Sequence, residues 1–154
     1  MAPFARALGT LVCLAGMGLS DRAEASLGRD RASVEHDRLQ LRASLRVSES
    51  PGLTIHELRL PGGTLVREYE VDGSIVAITF RGPFRPDLRQ LLGDHWDAFD
   101  QAAAAVKGSR PGRGPLRVET PSVVVEIGGH ERAFFGRAYL PGRLPASLAR
   151  VGLE

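Results

Sequence analysis

An Asp-Gly pair at 72–73, set between the β-branched and aromatic runs TLVREYEV and SIVAITF, constrains the fold more than any other feature of this chain. A two-residue type I′ turn needs positive φ at both central positions, which Asp and Gly tolerate, and its twist matches that of the strands it joins. The pair therefore predicts an antiparallel hairpin. The preceding run LTIHELRL, set off by Pro61-Gly62-Gly63, extends the hairpin to a three-stranded meander. Strict alternation in SIVAITF puts Val76, Ile78 and Phe80 on one face and Ile75 and Ala77 on the other. The strand is then apolar on both sides and reads as central. In TLVREYEV, Arg67 and Glu68 point to opposite faces, with Leu65, Tyr69 and Val71 on one side, which leaves one face wetter.

Beyond the meander, Pro86 suits a first helical turn. Leu88, Leu91, Leu92, Trp96, Phe99, Ala103 and Val106 then form one apolar stripe and predict a helix over 86–106, with Gly93 in its interior. KGSRPGRGP at 107–115 is a loop by composition. LRVET, SVVVEI and ERAFFGRAYL read as three further strands, with Gly128-Gly129-His130 as the turn between the last two. Upstream, residues 26–50 are polar, with a weak helix near 33–43. The predicted class is α+β: an antiparallel sheet of about six strands in two three-stranded units, with one long amphipathic helix packed on it. The expected organisation is a polar segment at 26–50, a single domain at 51–145 and a tail at 146–154.

Residues 1–25 read as an export signal. Arg6 gives a basic start, ALGTLVCLAGMGL is a short apolar core, and Ala23 and Ala25 fit the small-residue exit, so cleavage is expected after Ala25. The apolar run is too short to span a bilayer, which takes about 20 residues. No stable membrane insertion is expected after cleavage. The one cysteine, Cys13, lies in that segment, so the mature chain would have no disulfide and no thiol chemistry. A formal net charge of +2 argues against a nucleic-acid binder, which needs a dense basic face. Lys107 is the only lysine among the 20 basic residues.

The stretch GDHWDAFD at 93–100 looks most like chemistry. Helical geometry, at about 100° per residue, separates its parts. His95 falls in the apolar stripe, half-buried with a depressed pKa, while Asp94 and Asp97 fall on the solvated side. The other histidines, His36, His56 and His130, have no metal-ligand spacing, and no cofactor or metal is expected. No serine stands in a nucleophile-elbow context and GSRPGRGP lacks the Walker lysine. Arg81, Arg85 and Arg89 near the helix start could contact a carboxylate or polysaccharide. SVVVEI could serve as an exposed strand edge open to a partner strand.

The blocks GTLVREY, DLRQLLGD and GGHERAFFGRAYLP, with SLG just after the expected cut, resemble a family of small exported bacterial proteins known as domain of unknown function 2844. The resemblance spans nearly the whole mature chain. It implies an envelope location and another exported protein as partner, and it transfers no catalytic residue. The reading is a binding or assembly accessory module of the periplasm or beyond. Arg85, Asp94, His130 and Arg132 are its candidate surface residues. The alternative is a small envelope hydrolase acting on a cell-wall or sugar substrate, with His95 or His130 as base.

Overall fold

A computed structural model of the chain describes residues 26–109 and 114–146, together with Leu148 and Leu153. The expected signal segment, 1–25, lies outside the described residues. The elements run α1 (Arg31–Gln40), β1 (Ser44–Ser50), β2 (Leu53–Arg59), β3 (Leu65–Val71), β4 (Ser74–Gly82), α2 (Leu88–Leu92), α3 (Trp96–Ser109), β5 (Leu116–Glu119), β6 (Val124–His130) and β7 (Ala133–Tyr139).

The class is α+β, as expected, but the seven strands form one antiparallel sheet in the order β1-β2-β3-β4-β7-β6-β5. Two independent three-stranded units do not exist. A four-stranded meander and a three-stranded one fuse where β4 pairs with β7, from Ala77 opposite Tyr139 to Gly82 opposite Phe134. The strand missed in the sequence is β1. SLRVSES lacks an apolar alternation because six of its seven residues are exposed on an edge. The Asp72-Gly73 turn forms as predicted, with φ of 49° and 75°. The final hairpin turns at Glu131 and Arg132 instead of Gly128–His130, since His130 still pairs with Ala133. Gly128 lies under the ring of Phe135, which a Cβ there would push aside, and Gly129, at φ 103°, leaves no room for a Cβ against the Ala133 carbonyl.

One face of the sheet carries the main core. Leu58, Val66, Ile75, Ile78, Phe80, Val125, Ile127 and Ala138 pack there against Val34, Leu91, Leu92, Phe99 and Ala103 of the helices. Each large apolar side chain among them, withdrawn from water, contributes about 1.5–3 kcal/mol. A β-bulge between Tyr69 and Glu70 corrects the predicted alternation of β4. The unpaired Val76 joins Ala77 on the opposite face with Tyr69, Leu144 and Leu148, and Ile75 moves into the main core.

The long helix is broken. Asp87 caps α2 by accepting from the amides of Arg89 and Gln90 at 2.9 and 3.2 Å. Gly93 ends α2 with φ 48° and ψ −116°, and a 3₁₀ turn over Gly93–His95 redirects the chain into α3. A helical wheel drawn straight through Gly93 is therefore wrong in phase, although Asp94, Asp97 and Asp100 all lie on the outer side of the helices, with Asp94 65% exposed. At the other end, Asp30 caps α1. Among the described residues, no helix is long and apolar enough to cross a membrane.

Candidate functional site

The four predicted surface residues do not converge. Arg85 lies over the Phe134 ring, 4.8 Å from its centroid, close to the β6–β7 turn that carries His130 and Arg132. His130 is exposed, its Nδ1 3.1 Å from the carbonyl oxygen of Glu131, and Arg132 sits at φ 65° in the turn. Asp94 is elsewhere. It pairs with Arg29 at 2.8 Å, and the carbonyl of Arg29 accepts from Ile75 at the far end of β4. Ile75 and Gly82 are separated by roughly 20 Å of extended strand. Arg81 lies on β4, and α2 is only five residues long, so the arginines flanking it do not form one anion site. SVVVEI lies largely in β6, paired on both sides; the free edges belong to β1 and β5.

His95 behaves as the periodicity predicts. It is half-buried, and desolvation lowers its pKa against the opposing pull of Asp94. Asp94 is committed to Arg29, and neither His95 nor His130 has a hydrogen-bonded carboxylate among the described residues.

The face of the sheet away from the helices organises the charged side chains. Register places Arg46, Glu57, Arg67, Thr79, Arg137, Glu126 and Arg117 side by side in one row across all seven strands. Residues directly opposite one another share a face, so opposite charges pair along the row. Arg67 donates to Glu57 at 2.9 Å, Arg137 to Glu126 at 2.8 Å, and Arg117 reaches the same carboxylate at 3.4 Å. The Arg137 bond, helped by the charge of Arg117, pulls the Glu126 pKa down. Alternation fails at the centre. Thr79 stands between Arg67 and Arg137 where an acid would continue the pattern.

A hollow of about 410 Å³ opens at that position. Its walls include Arg67, Arg81, Glu126 and Arg137, and Leu65, Phe135 and Leu153 supply apolar surface. Arg81 is exposed and makes no ion pair among the described residues. Phe135 is 40% exposed, one of few large hydrophobic side chains left open. Arg67 and Arg137 are already paired with Glu57 and Glu126, so the positive charge the hollow offers an anion is that of Arg81, whose paired donors match a carboxylate or phosphate fork. The sequence held a partial signal: Arg67, Thr79 and Arg137 each have apolar neighbours nearby on their strands, but only the register aligns them.

A second polar cluster is sealed beneath α1. The face of β3 that carries Glu68 is fully covered there. Ser26, Asp37 and Glu68 have no exposed surface, and His56 has almost none. The Ser26 hydroxyl donates to Asp37 Oδ2 at 2.5 Å and the Gln90 amide donates to Oδ1 at 2.6 Å. His56 Nε2 lies 2.7 Å from Glu70 Oε2. Burial raises the Asp37 pKa, against the lowering effect of its Ser26 and Gln90 bonds. Burial first, then the charge of Asp37, pushes Glu68 well above the ordinary carboxylate range. Local sequence does not announce this cluster, because its members come from four distant segments. His56–Glu70 is a histidine–carboxylate pair, but it lies in the interior and lines none of the described hollows. Among the described residues no three metal-ligating side chains are grouped to hold an ion.

A family model described as a protein of unknown function, DUF2844, matches residues 23–151. The chain belongs to that family. No curated protein matches the chain, and no solved structure does.

Proposed function

We propose that this DUF2844 member is an exported envelope protein, cut after Ala25, that acts as a non-catalytic binding or assembly module. Its docking place in this reading is the arginine hollow on the open face of the sheet, and its partner is another exported protein that presents an acidic side chain beside an apolar one. The observation that carries the reading is the interrupted row, Arg67–Thr79–Arg137, with Arg81 beside it and Phe135 at its wall. An incoming carboxylate restores the alternation, and an apolar neighbour covers Leu65 and Phe135. Hot spots of this kind combine an arginine with an aromatic anchor.

The test is site-specific photocrosslinking in intact cells. A crosslinking residue at Phe135 is expected to trap one dominant exported partner, and the same residue at Asp97, on α3, to trap none. Arg81→Glu should cut the yield at position 135 by about tenfold, the equivalent of roughly 1.4 kcal/mol. Equal trapping from both positions, or a yield indifferent to Arg81→Glu, overturns the assignment of the hollow.

A further inference from the structure

Among the described residues no arginine or lysine reaches the acid pair beneath α1; the basic groups near it are His36, whose charge acts on Asp37, and His56, whose Nδ1 has no partner. Asp37 and Glu68 are adjacent and both lie wholly inside the protein. Neither carboxyl oxygen of Glu68 has a hydrogen-bond partner among the described residues. The groups against Glu68 are Asp37 and Ser26, and His56 stands opposite it on β2 with its Nε2 committed to Glu70. Among the described residues no arginine pairs with either acid. Two buried carboxyl groups side by side are costly unless one stays protonated or a positive charge joins them.

We propose that the α-ammonium group of Ser26, created when the chain is cut after Ala25, is the buried counter-ion of Asp37 and Glu68. The proposal rests on the export reading above. Hydrolysis of the Ala25–Ser26 bond consumes one water, leaves a carboxylate on Ala25 and frees the Ser26 nitrogen as an amine. That amine is protonated below about pH 8. The amide it replaces has one hydrogen and no charge; the ammonium has three donors and a full charge. The hydroxyl of Ser26 already touches Asp37, and its own nitrogen is three bonds away, within about 4 Å of that hydroxyl. The segment that delivers it is fixed. Leu27 donates to the Leu91 carbonyl at 3.4 Å, Gly28 to the Ile75 carbonyl at 2.8 Å, and Ile75 donates back to Arg29 at 2.8 Å. Processing thus completes the core: the same cut that removes the signal segment neutralises the acids under α1. The rival arrangements are one proton shared between Asp37 and Glu68, and a protonated His56, whose unpartnered Nδ1 lies buried on the strand opposite Glu68.

The experiment begins with the mass of the protein recovered from the envelope. A chain starting at Ser26 has only two primary amines, its own α-amine and Lys107. In the folded protein an amine-reactive ester is expected to label Lys107, with Ser26 reacting on the order of 100-fold more slowly than after denaturation. A chain that keeps Ala25 in front of Ser26 should melt about 5 °C lower or more. Glu68→Gln, or Asp37→Asn where that variant folds better, should shrink the difference between the two starts by at least half. A mature chain that begins elsewhere overturns the cleavage reading and this proposal with it. A Ser26 start whose amine labels freely, or whose melting is unaffected by the extra alanine, overturns the buried ion pair alone. So does a difference between the two starts that survives both substitutions unchanged.

Discussion

Gly93→Ala separates a continuous helix from a broken one by sign. Were 86–106 a single helix, alanine at an interior glycine would stabilise it by about 1 kcal/mol. In the structure Gly93 holds φ 48° and ψ −116°, and its amide closes α2 onto the Arg89 carbonyl. A Cβ at positive φ outside the small left-handed basin strains the backbone by roughly 1–3 kcal/mol. The turn cannot relax into helix without loss, because it aims α3 at β5. For a domain of this size 1 kcal/mol is about 4 °C in melting temperature, so Gly93→Ala should melt roughly 4–12 °C lower. Gly108 is the control. It lies inside α3, and a Cβ there meets nothing within 4 Å. Gly108→Ala should therefore be neutral or stabilising by up to about 1 kcal/mol. Urea unfolding of the two variants beside the parent chain measures both. A Gly93→Ala chain more stable than the parent would refute the broken-helix account.

His56→Ala removes a buried ring and the hydrogen-bond partner of Glu70 and should cost about 2–5 kcal/mol in urea unfolding; a loss below about 1 kcal/mol would mean that Glu70 turns to solvent without penalty. Asp87→Ala should lose about 1 kcal/mol, since the cap of α2 satisfies two amides at once, and an unchanged urea midpoint would show that water replaces the cap. The pH response follows from the raised pKa values of Asp37 and Glu68 in a chain whose Ser26 is still amide-linked. The folded state then binds more protons than the unfolded one above the ordinary carboxylate pKa of about 4, so stability falls as pH rises from there through the raised values. Glu68→Gln in that chain should flatten the fall, and a profile unchanged by the substitution would show that Glu68 is not its source.

The elements that local chemistry dictates were legible in the sequence: the Asp72-Gly73 hairpin, the apolar β4, the helix stripe from Leu88 to Val106 and the weak first helix. What escaped depended on partners far along the chain. β1 lacked a pattern because an edge strand buries little. Gly93 read as a tolerated interior glycine because periodicity survives a 3₁₀ turn that inserts only a phase shift. Glu68 read as part of a solvated strand because nothing near it announced that α1, with Asp37, would close over it. The same limit applied to the site. Residue type near turns points to Arg85, Asp94, His130 and Arg132; the fold gathers Arg85, His130 and Arg132 around the β6–β7 turn and leaves Asp94 at the other end of β4. The row from Arg46 to Arg117 is a property of register across seven strands, and no window of sequence contains it.

That row is a poor candidate for a stabilising device, which strengthens the case for binding. Its ion pairs are partly open, with side-chain exposures of 36% and 23% for Arg67 and Glu57 and 40% and 23% for Arg137 and Glu126. Pairs so placed give about 0–1 kcal/mol each. At its centre an uncharged Thr79 stands between Arg67, paired with Glu57, and Arg137, paired with Glu126, with Arg81 beside them. Thr79 is only 5% exposed, so Thr79→Glu crowds its walls at a cost of about 1–3 kcal/mol while filling the hollow with the charge that a ligand would bring. Binding through position 135 should then fall as far as it does in Arg81→Glu. If binding through position 135 survives Thr79→Glu in a folded chain, the outside anion does not sit in this hollow.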